Sequence, residues 1–373
     1  MSSHRSQPCL TVWFPAGLDP RYAGADLHGF FHADTAQVVV LQPGSAVPGR
    51  RNLSQGMPKL EARFDGKGWS FLADGWCCDA RAYDLDADLF SRHRGLLDSV
   101  SMGACGVIVC GCGSVGSLAA LDLARSGVGR FLLVDEDLLS IENLCRHQCG
   151  LADVGRRKVD AVADRIRQIN PMAVVQVAAM PLEQLDPAVV AAFSDARTLM
   201  LACADSRRAD RYAARLAASL RLSFLSIGLW ERAFAGELFY WHPDQPMPCY
   251  SCALEGLDQA MPVRPQPLSR SYSNEADLEA LAFQPGLAID IALVTQIGLK
   301  LALDLLNRNV PSYVPRLLGY LSQYTLVCNT NDPRIGGEAA EIFSNPLQVT
   351  TSIQVGYGDT NPACLCRLRG GMD

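Results

Sequence analysis

The apolar and polar positions of this chain change period along its length. Over residues 1–85 the apolar runs are short: CLTVWF (9–14), AQVVVLQ (36–42), LEARFD (60–65) and GWSFLAD (68–74), with Pro and Gly between them. Such runs read as strands separated by turns and predict a small β-rich N-terminal module. From Gly106 the pattern is different. The apolar run GVIVC (106–110) breaks at Gly111, Gly113 and Gly116, restarts with helical spacing in SLAALDLARSGVG, and is followed by the apolar RFLLVDED (130–137). Then RRKVDAVADRIRQI (156–169) places Val159, Val162, Ile166 and Ile169 on one helical face. The strand-like AVVQVAAM (173–180), an acidic helix and the strand-like TLMLACAD (198–205) continue the alternation. Strand and helix in turn predict an α/β class with a doubly wound, mostly parallel, Rossmann-like sheet. A Pro- and Ser-rich loop (261–274), a long helix from about Leu287, the strand LSQYTLVCN (321–329) and a short tail complete the chain. The organisation expected is a β-rich module over 1–85, a nucleotide-binding domain over 86–245, and a segment over 246–373 that completes the same fold.

Composition narrows the function. Nearly half of the 373 residues are apolar and the net charge is -6, with no basic stripe to follow a phosphate backbone, which argues against nucleic acid as partner. The stretch GLAIDIALVTQIGLKLALDLL (286–306) carries Asp290, Gln296, Lys300 and Asp304, so it reads as a buried or interfacial helix and not a membrane span. The first residues lack the apolar core of a signal peptide. Cytoplasmic placement is expected, and the 14 cysteines then read as thiols or metal ligands before disulfides. Of 33 basic residues only Lys59, Lys67, Lys158 and Lys300 are lysines, which draws attention to each of them.

The glycine turn suits a nucleotide phosphate. Glycine lets the chain bend sharply and brings backbone N–H groups and a helix N-terminus close to an anion. Asp135, at the end of the next strand, stands where an acid would hold a ribose hydroxyl pair. These features serve NAD, FAD or ATP equally. The choice comes from the next segment, where Asp135, Asp137, Asn143, Arg146 and Lys158 follow in close succession. A dinucleotide's pyrophosphate is met by backbone donors, whereas a triphosphate undergoing cleavage builds charge that fixed cations must neutralise. The Gly-rich loop with a following Lys-Ser/Thr pair, typical of P-loop hydrolases, is absent from the sequence.

Taken together, the motifs D-x-D (135–137), N-x-x-R (143–146), G-x-x-K (155–158) and C-x-D (203–205) resemble those of the ubiquitin-activating-like ThiF-MoeB-HesA family of adenylyltransferases, which activate ubiquitin and the bacterial sulfur carriers. The resemblance implies that Gly111, Gly113, Gly116, Asp135 and Asp137 cradle ATP, with Asp135 on the ribose. It also implies that Asn143, Arg146 and Lys158 contact the phosphates and that Asp205 holds Mg²⁺. Arg92 matches the arginine that crosses a homodimer interface to the partner's γ-phosphate, with Arg94 its competitor. Each residue also has a plainer reading: a solvated helix lysine for Lys158, a surface ion pair for Arg146 and Asp137, a helix cap for Asp205, and solvent exposure for Arg92.

Cys249 and Cys252, in PCYSC, are spaced to share one ion. The family places a second pair near an NP dipeptide, which here is NPACLC with Cys364 and Cys366. The implied site is a structural four-cysteine Zn²⁺ centre, although the second pair is C-x-C, not C-x-x-C. A redox role for the first pair is disfavoured because it lies among prolines. A catalytic cysteine of the thioester-forming type is not found between Cys252 and Cys328, leaving Cys145 and Cys149 as the thiols nearest the phosphate motifs. The tail RLRGG mimics the end of ubiquitin but follows the cysteine pair directly and reads as coincidence. The implied activity is ATP-dependent adenylation of the C-terminal Gly-Gly carboxylate of a ubiquitin-like or sulfur-carrier protein, with thioester or sulfur transfer left open. An NAD- or FAD-dependent oxidoreductase and a catalytically inactive binding module remain as alternatives.

Overall fold

A computed structural model describes residues 10–204, 206–254, 286–351 and 355–357, with Cys364 and Cys366. The chain divides into two compact units, Met1–Arg94 and Gly95–Asp373.

In the first unit, β1 (Thr11–Pro15), β2 (His28–His32), β3 (Gln37–Val40) and β4 (Arg51–Asn52) precede an antiparallel set, β5 (Leu60–Phe64), β6 (Trp69–Ala73) and β7 (Trp76–Cys77). A last strand, β8 (Asp79–Tyr83), joins the first sheet, whose order is β4-β2-β3-β1-β8, and the short helix α1 (Leu85–Asp88) follows. Four of these strands coincide with the short apolar runs of the sequence. β2 and β8 have few buried positions, His28–His32 reading exposed, buried and then half-buried or exposed, and Asp79–Tyr83 almost fully exposed. With no alternating apolar face, neither is legible as a strand from pattern. The core of this unit is Val12, Phe14, Leu27, Val38, Val40, Leu60 and Phe71.

The second unit begins with α2 (Ser99–Gly103) and β9 (Gly106–Cys110), all five of whose residues are buried. It continues through α3 (Ser114–Arg125), β10 (Arg130–Val134), α4 (Lys158–Ile169), β11 (Val174–Ala178), α5 (Pro187–Phe193) and β12 (Thr198–Ala202). Next come α6 (Arg207–Leu220), β13 (Ser223–Leu229), β14 (Ala235–Trp241), α7 (Tyr250–Leu254), α8 (Ala288–Asn307), β15 (Tyr324–Cys328), α9 (Pro333–Gly336) and β16 (Val349–Thr350). The sheet order is β11-β10-β9-β12-β13-β14-β15-β16. β11 to β13 are parallel neighbours, while β14, β15 and β16 are antiparallel. This is the doubly wound α/β arrangement expected from the alternation, extended by an antiparallel edge. Strands β10 and β11 are added on one side of β9 and β12 and β13 on the other, all parallel, so the strand order reverses at β9 and a crevice opens at the carboxyl ends of β9 and β12, the usual ligand position in such sheets.

Helix α4 turns Val159, Val162 and Ile166 into the core, each worth roughly 1.5–3 kcal/mol of burial. Helix α8 packs on α3 and on the sheet through Ile291, Val294, Leu299, Leu301 and Leu305. Its Asp304 is fully buried and accepts hydrogen bonds from the Tyr313 hydroxyl (2.6 Å) and from the Arg316, Leu317 and Leu318 N–H groups at 2.6–3.0 Å. A buried carboxylate needs such partners, and here it fastens the loop beyond the helix. Among the described residues no helix is long and apolar enough to cross a membrane.

Candidate functional site

The glycine turn lies directly over the crevice. Gly111 has a left-handed backbone (φ +93°), and a Cβ there would come within 3.1 Å of the Cys203 carbonyl group and the Ala204 nitrogen. A Cβ on Gly116 would lie 1.8 Å from the Gly111 oxygen, so helix α3 can approach its strand only without a side chain at that position. Gly113 is the N-cap of α3, and a Cβ there meets nothing within 4 Å. Among the described residues no side chain caps this helix end, which leaves its first N–H groups, with the partial positive charge of the helix terminus, without a capping side chain.

Asp135 closes the turn from the β10 side. One carboxylate oxygen accepts the Cys112 N–H at 2.6 Å and the other accepts the Asp137 N–H at 2.8 Å. Asp137 in turn takes the Lys158 ammonium at 2.7 Å, and its carbonyl accepts the Lys158 N–H at 3.0 Å. Lys158 is only 9% exposed, at the first position of α4, so its reading as a solvated helix lysine is set aside. An ammonium this deeply placed needs a charged partner. Asp137, with its side chain 42% exposed, lends one while keeping an open side.

The N-x-x-R segment starts at Asn143, the last residue of a 3-10 turn, Ile141–Asn143. The Asn143 side-chain oxygen accepts the Ser140 N–H at 3.1 Å, and the Asn143 carbonyl accepts the Arg146 N–H at 3.0 Å. Arg146 itself is half-buried. The loop leading to Lys158 is pinned by Asp153, 5% exposed, which accepts from the Gly150 N–H (3.1 Å), Arg156 (2.8 Å) and Arg165 (2.9 Å). Neither Asp153 nor His147 stood out in the sequence. His147 is buried, with one ring nitrogen 2.8 Å from the Cys112 carbonyl and the other 3.1 Å from the Cys149 N–H. Adjacency to Arg146 was the only signal for it, and its partners lie in a turn 35 residues away.

On the far side of the crevice, the Cys203 N–H donates to the Cys110 carbonyl at 2.9 Å, extending the β9–β12 pairing to the edge of the turn. Asp205 lies outside the described residues. Its neighbour Ser206 is the N-cap of α6 and accepts the Ala209 N–H at 3.4 Å, so the capping role is filled without Asp205. Arg92, in the 3-10 turn Ser91–His93, and Arg94 are both exposed and belong to the first unit. The 261–274 loop and the RLRGG tail lie outside the described residues.

The four cysteines converge. Cys249, Cys252, Cys364 and Cys366 bring their sulfurs within 4.8 Å of one another, with Cys249 and Cys364 at 3.6 Å, Cys252 and Cys366 at 3.6 Å, and Cys364 and Cys366 at 3.3 Å. Zn–S bonds of about 2.3 Å place tetrahedral sulfurs roughly 3.8 Å apart, so the set fits one ion, and the C-x-C spacing does not prevent it. The prolines around the first pair do not exclude a redox role, contrary to the expectation from sequence. Cys249 immediately precedes α7 and Cys252 lies within it, a position a redox pair would also take. What sets the pair apart from a redox motif is the second pair of thiols facing it. Cys149 is buried and its thiol is pushed up to about 11 by burial, which makes it a poor nucleophile. Cys145 is exposed, its sulfur 3.4 Å from the Glu142 carbonyl.

A sequence model of the ThiF family matches residues 93–326, well over half of the chain. Among curated proteins, the tRNA threonylcarbamoyladenosine dehydratase of Bacillus subtilis is 54% identical over 66 residues, 17% of this chain and 26% of that protein. The molybdopterin-synthase adenylyltransferase of Escherichia coli is 37% identical over 102 residues, 27% of this chain and 39% of that one. Ubiquitin-like modifier-activating enzyme 5 of Arabidopsis thaliana is 28% identical over 190 residues, 45% and 43% of the two chains. The matched stretches thus span between about a quarter and under half of these relatives' lengths. Among solved structures, E. coli MccB with AMPCPP and MccA superimposes at a TM-score of 0.52 with 15% identity, covering 75% of this chain and 74% of that one, a likeness of fold. The glycine turn at the switch point, the carboxylates after β10 and the matched span together place this chain in the ThiF family.

Proposed function

We propose that this protein uses ATP to adenylate a C-terminal carboxylate, that of the Gly-Gly end of a ubiquitin-like or sulfur-carrier protein, releasing pyrophosphate. The observation that carries the reading is Lys158: a buried ammonium held 2.7 Å from Asp137, on the same strand end as Asp135, which is bonded to the glycine turn. A dinucleotide site has no need of such a cation, whereas a departing pyrophosphate does.

In this reading the N–H groups at the start of α3 and Gly113 receive phosphate oxygens, and Asp135 orients the ribose. Asn143, Arg146 and Lys158 meet the charge that develops on the leaving group. The substrate carboxylate is already ionised. One of its oxygens attacks the α-phosphorus, the bond to the bridging oxygen breaks, and pyrophosphate departs with the electron pair, so no protein base is required. Positioning and charge neutralisation supply the acceleration. Asp205 is proposed to hold Mg²⁺, which supplies further neutralisation of the phosphates. Cys249, Cys252, Cys364 and Cys366 are proposed to hold a structural Zn²⁺ that ties α7 to the tail. Arg92 is proposed to act across a homodimer.

The test is exchange of radiolabelled pyrophosphate into ATP in the presence of candidate Gly-Gly carriers. Exchange that depends on the carrier supports the proposal; no exchange with any carrier, together with tight NAD binding, ends it. A second reading is favoured by the 54% identity over 66 residues to the tRNA threonylcarbamoyladenosine dehydratase: the carboxylate belongs to a modified nucleoside in tRNA. The net charge of -6 weighs against a tRNA partner. Replacing the carrier by tRNA in the same exchange assay separates the two.

A further inference from the structure

We infer that His147 is a positioning residue for the glycine turn, setting the peptide plane between Cys112 and Gly113 so that the Gly113 N–H is presented to a phosphate. This rests on the nucleotide reading proposed above.

The imidazole makes two hydrogen bonds that fix its tautomer. One ring nitrogen, Nδ1, accepts the Cys149 N–H at 3.1 Å, so it carries no proton. The proton must then be on Nε2, which donates to the Cys112 carbonyl at 2.8 Å. Both bonds are satisfied only by the neutral Nε2–H tautomer, and burial favours the neutral ring over imidazolium. Cys112 is therefore held at both of its peptide groups: its N–H by Asp135 at 2.6 Å and its carbonyl by His147. In a trans peptide the carbonyl and the following N–H point in opposite directions. With the Cys112 carbonyl drawn inward to His147, the Gly113 N–H is turned outward. The Gly113 N–H donates to no described residue, and a Cβ at Gly113 would meet nothing within 4 Å, so there is room beside this peptide for a ligand. Without the imidazole, the Cys112–Gly113 plane loses its inner anchor and can rotate. His147 also adjoins Arg146, so one residue couples the glycine turn to the N-x-x-R segment.

The experiment compares wild type, His147→Gln and His147→Leu for binding of a non-hydrolysable ATP analogue and of adenosine, by titration calorimetry. Adenosine lacks the phosphates, so a general collapse of the site weakens both ligands, whereas a misplaced N–H weakens only the analogue. Glutamine keeps an N–H donor and a carbonyl acceptor. The expected result is a loss of about tenfold in analogue affinity for His147→Leu, unchanged adenosine binding, and His147→Gln within about threefold of wild type. Equal analogue affinity in wild type and His147→Leu overturns the inference, as does parallel loss of both ligands. If wild type binds neither nucleotide, the proposed function falls on its own. The turn is then judged by NMR: an Nε2–H tautomer for His147, with faster amide exchange at Gly113 in His147→Leu, supports the inference, and an Nδ1–H tautomer or unchanged exchange overturns it.

Discussion

Two glycines in one turn should respond to the same substitution in opposite ways. At Gly116 a methyl group would lie 1.8 Å from the Gly111 oxygen and 3.3 Å from a Val109 methyl. An ordinary carbon–oxygen contact is about 3.2 Å, so the helix or the turn must move by more than an ångström, and the obstacle is backbone. The stability cost of Gly116→Ala is expected to exceed about 3 kcal/mol, lowering the melting temperature by roughly 6 °C or more. A shift of an ångström also misplaces the turn enough to cost about a hundredfold in rate. At Gly113 the added methyl meets nothing, and φ is -75°, a value any residue adopts. Losing glycine at the N-cap costs a few tenths to about 1 kcal/mol, and the stiffer unfolded chain returns a similar amount. Gly113→Ala should therefore melt within about 2 °C of wild type while losing ATP–pyrophosphate exchange, because the methyl occupies the space meant for a phosphate. The assay is thermal unfolding by circular dichroism alongside the exchange reaction. Wild-type exchange in Gly113→Ala, or an unperturbed melting curve in Gly116→Ala, would refute the assignment of the turn.

Lys158→Met should keep the fold, with a loss near 1 kcal/mol because the half-exposed Asp137 can turn to water, yet lower exchange by about a hundredfold or more; exchange within threefold of wild type would remove Lys158 from the site. Cys252→Ser should lower bound zinc from about one per chain to near zero by mass spectrometry, with a lower melting temperature; equal metal content in both proteins would contradict the four-thiolate centre. His147 gives a pH signature. Its folded pKa lies below the ordinary 6.5 through burial, so the unfolded chain takes up the proton first. The stability it contributes is complete above pH 6.5 and is lost as pH falls toward the folded value. Denaturant melts between pH 7.5 and 5 should show wild type losing more stability than His147→Gln, and parallel curves would contradict a buried neutral imidazole.

The sequence by itself determined the class of fold and most of the elements that frame the site. Strand β9 is a short apolar run bounded by the glycine turn, and helix α4 carries its apolar residues at a helical period. The glycines at 111, 113 and 116 mark a turn for a steric reason that holds wherever the chain goes. It did not reveal the antiparallel edge of β14 and β16, nor β2 and β8, because a strand without an alternating buried face has no periodic signature. Tertiary structure decided the rest. Lys158 as a buried partner of Asp137, His147 beneath the Cys112 carbonyl, Asp153 pinning the loop before α4, and the meeting of the two cysteine pairs are contacts that reach up to 117 positions apart in sequence. The cysteine spacing hinted at one of these; the long-range contacts exist only once the sheet brings the ends of β9, β10 and β12 side by side and the tail returns to α7. The sequence could say that a phosphate would be held and that cations stood nearby, but burial and hydrogen-bond partners depend on what the fold excludes from water.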